Sequence, residues 1–349
     1  MKKQNSIIFN RIFFSIILFT ILFASCKREA EVYTPQSEEK AIKLAVLKNG
    51  FDTTGMKDLG KYMLVEGDIL LTKISLLSTT PRQAYQNNNS LVDRTKQKNI
   101  TIRIDDSVPT DGGRLDWRNE VSQAITEYNN LYTNLELSLV TTPTADITIR
   151  LGTEDPTFNL NMGTGTIAAA GLPSNGNPFH SIVINSNYVN IPSSSTKKYN
   201  LVHEIGHCIG FRHTNWQVRS ESPALGIGNS PNTGSNPDAS SVFNGGTALN
   251  SWSGFSIWDR DAITILYPKF RAKITNYPAQ PTSGIPYTFG IDANIPITSY
   301  HWENGGGYVI GSRENPTATI YCGNPATFVI YCTVINIYGE KIDIYHSPF

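Results

Sequence analysis

The sequence predicts an α+β chain: strands and helices interleave up to about residue 270, and a small all-β sandwich follows. Three observations carry this reading. Between residues 98 and 270 the apolar side chains switch repeatedly between period-two alternation and helical spacing. Beyond Phe270 only short β runs remain, separated by Pro and Gly. Charged residues are only 17%, whereas Gly (27), Pro (19) and Tyr (16) are plentiful, which fits a strand-rich exported protein and excludes a coiled coil or collagen. At 349 residues, 40% of them hydrophobic, the chain can build about two folded domains. Its 29 basic residues balance 29 acidic ones, with no Lys/Arg run after the first dozen residues, so no nucleic-acid partner is expected.

The N-terminus has the form of an export signal. Lys2, Lys3 and Arg11 precede an apolar run, residues 12–24, that is too short to span a bilayer comfortably. Leu22-Phe23-Ala24-Ser25-Cys26 then resembles a lipobox, which makes residues 1–25 a lipoprotein signal peptide and Cys26 the acylated residue. The expected place is the bacterial cell envelope or cell surface, anchored to the membrane through the lipid at Cys26. An ordinary secretory peptide with a chance cysteine is the alternative. Cleavage removes Lys2, Lys3 and Arg11 and no acid, leaving a net charge of −3. Cys208, Cys322 and Cys332 remain, too few for a disulfide scaffold. Cys322 and Cys332 either pair or are two small buried thiols.

Residues 26–97 form an N-terminal region and linker, with a helical stretch at 38–48, an apolar stretch at 62–71 and a polar linker from 79. Residues 98–270 form the larger domain. Within it, 100–104 alternates as a strand, and 117–132 places Trp117, Val121, Ala124, Ile125, Tyr128 and Leu131 on one helical face. Residues 135–140, 146–151 and 181–185 are further strands, 163–171 is small and apolar, and 198–211 is the next helix. The last helix, to residue 266, opens on Ser256 with Asp259 three residues on, a capping box, and Pro268 stops it. Residues 271–349 hold five to seven short strands. Tyr300-x-Trp302 and Val334-x-Asn336-x-x-Gly339 give this segment a resemblance to immunoglobulin-like and PKD-type modules.

Three of the six histidines fall in eleven residues, His203-Glu204-Ile205-Gly206-His207-Cys208-Ile209-Gly210-Phe211-Arg212-His213. On a helix His203 and His207 lie one turn apart, so both imidazoles project from one face and can hold two corners of a tetrahedral zinc ion. Gly210 can take a left-handed conformation that ends the helix and returns His213 as a third ligand. Water keeps the fourth position, and Glu204 is placed to accept its proton. The five fixed positions would occur by chance about once in 10⁵ chains of this length. The spacing is the metzincin motif H-E-x-x-H-x-x-G-x-x-H. Cys208 points about 100° away from the ligand before it and reads as core.

Over about residues 60–270, His203-Glu204-Ile205-Gly206-His207 and the surrounding order resemble the bacterial dual-action HEIGH metallopeptidases. The resemblance implies a metzincin-like catalytic domain with a twisted mixed sheet, zinc below it, and an edge strand along which an extended peptide substrate lies. Residues 163–171 would be that edge. The methionine turn of metzincins finds no methionine here, because none follows Met162. Ser241-Val242-Phe243-Asn244 matches it best and puts Phe243 at the methionine position, ahead of Ala248-Leu249-Asn250. Asp259 would brace that turn or simply cap its helix. Val65-Glu66-Gly67-Asp68 resembles the Phe-x-Gly-Asp stretch of astacin-type propeptides, in which the aspartate holds the open zinc position. Asp68 is therefore either an inhibitory zinc ligand or a solvent-facing turn residue.

Together these features predict a zinc-dependent endopeptidase acting on protein or peptide substrates. Zn²⁺ polarises the scissile carbonyl, Glu204 serves as general base, and no covalent intermediate forms. The alternative is a non-catalytic surface binding or adhesion lipoprotein that retains the zinc helix as scaffold.

Overall fold

The computed structural model describes residues 35–77, 91–152, 161–188, 192–221 and 237–347. The chain falls into two units, residues 1–42 and 43–349, and in the first the described part is the opening of helix α1 (Pro35–Lys48). The signal segment and Cys26 lie outside the described residues.

In the second unit eight strands make one mixed sheet: β1 (Lys57–Leu59), β2 (Tyr62–Val65), β3 (Ile69–Thr72), β4 (Ile100–Ile104), β5 (Leu137–Val140), β6 (Ile147–Leu151), β7 (Ala168–Ala170) and β8 (Ser181–Ile184). Their order is β1-β2-β3-β7-β8-β6-β4-β5. Strands β8, β6, β4 and β5 run parallel, β7 runs antiparallel to β8, and β1 to β3 form a meander. Alternation explains the central strands, since Ile100 and Ile102 on β4 and Ile147 and Ile149 on β6 are all buried in one core.

The strand expected at the sheet edge is interior. Only residues 168–170 of the small apolar stretch form β7, and β3 lies parallel to it with Ile69 opposite Ala170. The Ala170 amide donates to the Asp68 carbonyl at 3.1 Å. The reason is that residues 57–72, ahead of the boundary at 98, contribute three strands to this sheet, and β3 occupies the side of β7 away from β8.

Helices α2 (Arg118–Asn129) and α3 (Ser194–Ile209) pack together, and α3 lies against β7 and β8. The predicted apolar face of α2 is buried except for Leu131, which lies past the helix end and is partly buried, and the Tyr128 hydroxyl donates to the Val202 carbonyl at 2.8 Å, tying α2 to α3. Helix α3 starts a turn earlier than its apolar spacing predicts because Ser193 caps it, its hydroxyl accepting from the Thr196 amide at 3.1 Å. Helix α4 (Ile257–Leu266) opens with the predicted capping box.

Seven strands follow among the described residues: β9 (Ala272–Thr275), β10 (Pro286–Ala293), β11 (Ile297–Gly305), β12 (Gly307–Ile310), β13 (Ala318–Cys322), β14 (Val329–Asn336) and β15 (Lys341–His346). They form two antiparallel sheets, β12-β13-β10-β9 and β11-β14-β15. Phe289 and Ile320 of the first and Trp302, Ile330 and Val334 of the second share one apolar cluster. Cys322 and Cys332 are free, buried thiols on different sheets, so the pairing alternative falls. Glu340, beyond β14, receives Arg94 at 2.8 Å and Lys98 at 3.2 Å and so clips these sheets to the larger domain.

Candidate metal centre

Helix α3 carries the first two histidines, and every residue from Tyr199 to Ile209 is buried. It ends at Gly210, whose φ of 116° is left-handed. The Gly210 amide donates to the His207 carbonyl at 2.9 Å and the Phe211 amide to the Gly206 carbonyl at 2.9 Å, which closes the last turn and reverses the chain. His213 is thereby returned to its two partners, as the spacing predicts, with ring centroids 5.5 Å from His203 and 5.1 Å from His207.

Each imidazole is held by its Nδ1. His203 Nδ1 faces the Val242 carbonyl at 2.7 Å, His207 Nδ1 the Phe211 carbonyl at 2.7 Å, and His213 Nδ1 the Glu221 carboxylate at 2.8 Å. With a proton donated at each Nδ1, the Nε2 lone pairs point inward together. Asp68 completes the group: its carboxylate lies 3.0 Å from His213 Nε2, 3.6 Å from His203 Nε2 and 3.7 Å from His207 Nε2. The two longer distances exceed hydrogen-bond range. They are the spacings of ligands around a shared centre, and the four ligand atoms lie within 4.8 Å of one another. All three Nε2 atoms and Asp68 Oδ1 are buried and make no hydrogen bond, though His213 Nε2 and Asp68 Oδ1 face each other as a close ion pair at 3.0 Å. Such orphans are what a tetrahedral metal ion satisfies, so the donor set fits zinc.

The electrostatics agree. Burial pushes the Glu204 carboxyl well above the usual carboxylate range, and the charge of Asp68 adds to it. Burial also opposes ionisation of Asp68, but the charge on His213 and the other two imidazoles outweigh it and hold the group well below its ordinary value. Burial and His203 push His207 down to about 4. Against the downward pull of burial, Asp68 and Glu221 push His213 up to about 10. The cluster thus holds positive charge at its centre, as a proton on His213, and a divalent ion would displace that proton and take all three Nε2 lone pairs. Glu204 itself is 1% exposed with a free Oε2, beside the ligands and outside their group.

The floor is built by residues 241–244. Phe243 is buried with its ring stacked on Phe211, centroids 4.4 Å apart and planes 7° apart, and it lies against Gly206 of α3. Asp259 does both things expected of it. It completes the cap of α4, and its carboxylate accepts from Ser241 Oγ at 2.6 Å and the Val242 amide at 3.0 Å, which fixes the carbonyl that orients His203.

Asp68 is not in solvent. It closes the β2–β3 turn, where Glu66 (φ 52°) and Gly67 (φ 101°) are both left-handed. The strain at Glu66 is held by Arg212, whose Nη2 donates to both carboxylate oxygens at 2.8 and 2.9 Å, and by the Asp52 amide at 3.2 Å. Sequence reasoning missed Glu66, Arg212 and Glu221. Glu221 follows His213 by eight residues across a coiled turn ending at Ser220 (φ 58°), and no periodicity announces it. Cys208 is buried core as expected.

Residues 63–267, well over half of the chain, match the family model described as dual-action HEIGH metallo-peptidase. No curated protein matches. Two solved structures of myroilysin are similar. One is 17% identical and covers 49% of this chain and 80% of its own, with a TM-score of 0.31. The other is 16% identical and covers 55% and 89%, with a TM-score of 0.30. Likeness at that level carries no inference about this chain.

Proposed function

The chain belongs to the dual-action HEIGH metallo-peptidase family, and from that premise we propose that it is a zinc endopeptidase of the metzincin type. Membership makes it a metallopeptidase with protein or peptide substrates and implies a divalent metal. The observation that carries the finer reading is the convergence of three buried Nε2 atoms, none in a hydrogen bond, around Asp68 and beside the free Oε2 of Glu204. His203, His207 and His213 would hold the zinc. When bound, the metal lowers the pKa of water toward ~7 and polarises a carbonyl. Glu204 takes the proton from the attacking water and returns it to the leaving amine; a carboxyl whose proton affinity burial has raised suits that exchange near neutral pH. Val242, Phe211 and Glu221 hold the imidazoles in the required tautomer. The 241–244 turn, with Phe243 in place of methionine and Asp259 as brace, does the work of the metzincin floor.

In the intact chain we read residues 26–97 as propeptide-like, with Asp68 as a fourth, inhibitory ligand and the β2–β3 hairpin covering β7. Residues 271–349 are read as an appended immunoglobulin-like module. From the sequence we further propose a lipid anchor at Cys26 at the cell envelope; an alkyne fatty-acid label lost in Cys26→Ser tests it. Among the described residues no helix is long and apolar enough to cross a membrane.

Metal analysis tests the centre. His203→Ala, His207→Ala and His213→Ala each lower zinc content, whereas Glu204→Ala keeps the metal and abolishes peptide hydrolysis. Full zinc in all three histidine variants would refute the assignment.

A further inference from the structure

Beside the metal centre lies a cavity of about 230 Å³ whose walls include His203, Glu204, Tyr199, Asn200, Thr247 and Arg219. A peptide whose scissile bond reaches Glu204 must place a flanking side chain there. Among the described residues that line it, Arg219 is the one Lys or Arg. Its position is built. Arg219 Nε donates to Glu221 Oε1 at 2.5 Å, so the carboxylate that braces His213 also aims the guanidinium. The other edge lies across Gly245 and Gly246: a Cβ at Gly245 would stand 2.8 Å from Nε, and one at Gly246 would collide with Nη1. Side chains at either position would displace the arginine. About a third of the side chain, 32%, stays exposed, and Nη2 lies 3.5 Å from where a Cβ on Gly67 would stand.

The present occupant of the cleft is informative. The hairpin tip Glu66-Gly67-Asp68 sets the Asp68 carboxylate there, on the histidines, while Glu66 is buried on Arg212 outside the lining, and Gly67 between them lies against Arg219. The cleft therefore already receives one carboxylate beside Arg219, and at the tip position facing the guanidinium the side chain is missing. Apart from Asp68, His203 and Glu204 at the metal centre, the other polar walls, Tyr199, Asn200 and Thr247 among them, are neutral hydrogen-bonding groups.

We propose that Arg219 is a specificity-determining residue that selects substrates with an Asp or Glu side chain beside the scissile bond. This rests on the peptidase reading above. A fixed guanidinium offers its outer N–H pair to a carboxylate, a charge-assisted contact that a glutamine cannot equal.

The test is a mass-spectrometric cleavage profile of a peptide library, using zinc-loaded full-length protein in wild-type and Asp68→Ala forms, with Arg219→Gln and Arg219→Glu in each background. Asp and Glu are expected to be enriched at one flanking position, with kcat/KM for a Glu peptide roughly tenfold or more above its Gln counterpart. Arg219→Gln brings that ratio near one, and Arg219→Glu turns the preference toward Lys and Arg. Cleavage without acidic enrichment overturns the proposal and leaves the peptidase reading intact. A parallel fall on all peptides together with lost zinc also overturns it, since Arg219 would then only brace Glu221. No cleavage by any form overturns the peptidase reading and this proposal with it.

Discussion

Replacing Gly206 by Ala probes how tightly the floor is packed beneath the ligands. A Cβ at Gly206 would run into the Phe243 ring, with Cδ1 at 2.9 Å. The ring cannot swing away freely, because it is 2% exposed and stacked on Phe211. Overpacking of this kind costs about 1–3 kcal/mol. Alanine recovers about 0.5–1 kcal/mol of helix propensity over glycine, so the net loss expected is about 0–2.5 kcal/mol. Phe243→Ala alone empties the site and costs about 3–5 kcal/mol. In the double variant the new methyl enters the space the ring has left, so the effects do not add, and a favourable coupling of about 1–3 kcal/mol is expected. At ~2–4 °C per kcal/mol for a domain of this size, Phe243→Ala lowers Tm by roughly 6–20 °C. The double variant should be at least as stable as Phe243→Ala. Thermal and urea denaturation of the four zinc-loaded proteins measure this, with zinc content as control. Strictly additive effects, or an unchanged Tm in Phe243→Ala, would refute the placement of the ring under Gly206.

Asp68→Ala should raise the peptidase activity of the intact chain, and Glu66→Gln, which weakens the Arg212 latch, should act in the same direction. Equal activity of intact wild type and Asp68→Ala would make the aspartate a structural turn residue. Glu221→Gln removes the charge that orients His213 and should weaken zinc binding about 10–100-fold in a chelator competition; unchanged affinity would remove its bracing role. Burial pushes the Glu340 carboxyl up, but Asn336, Arg94 and Lys98 outweigh it and hold it below its ordinary value of 4.5. The stability it contributes is therefore present above that value and lost as pH falls through the lowered one. Acid unfolding followed by tryptophan fluorescence should show this loss in wild type and a flatter pH dependence in Glu340→Gln; identical profiles would count against the clip.

The candidate ligands were legible because their geometry is local. His203 and His207 are one helical turn apart, Glu204 adjoins the first, and Gly210 is where a left-handed residue must stand for His213 to return. None of this needs knowledge of the rest of the chain. The capping box at Ser256 and Asp259 is local in the same sense, as is the buried face of α2. Asp259 also shows where such reasoning stops. Its cap role spans three residues, whereas its bonds to Ser241 and Val242 cross 18 and 17 residues of chain.

What the tertiary structure decided lies at long range. The family resemblance implies an edge at 163–171, yet β3 pairs with β7 because a hairpin some hundred residues earlier reaches it, a pairing that alternation within either strand does not encode. Asp68 faces three histidines more than 130 residues away only because Arg212 holds the left-handed Glu66 beside it. Glu221 and the Val242 carbonyl are equally silent in sequence, since a bracing acceptor needs only position, and position is set by folds of the chain between it and the histidine it holds. The sequence by itself determined which atoms can bind the metal; packing decided how they are aimed, what now fills the cleft, and which cation waits at its wall.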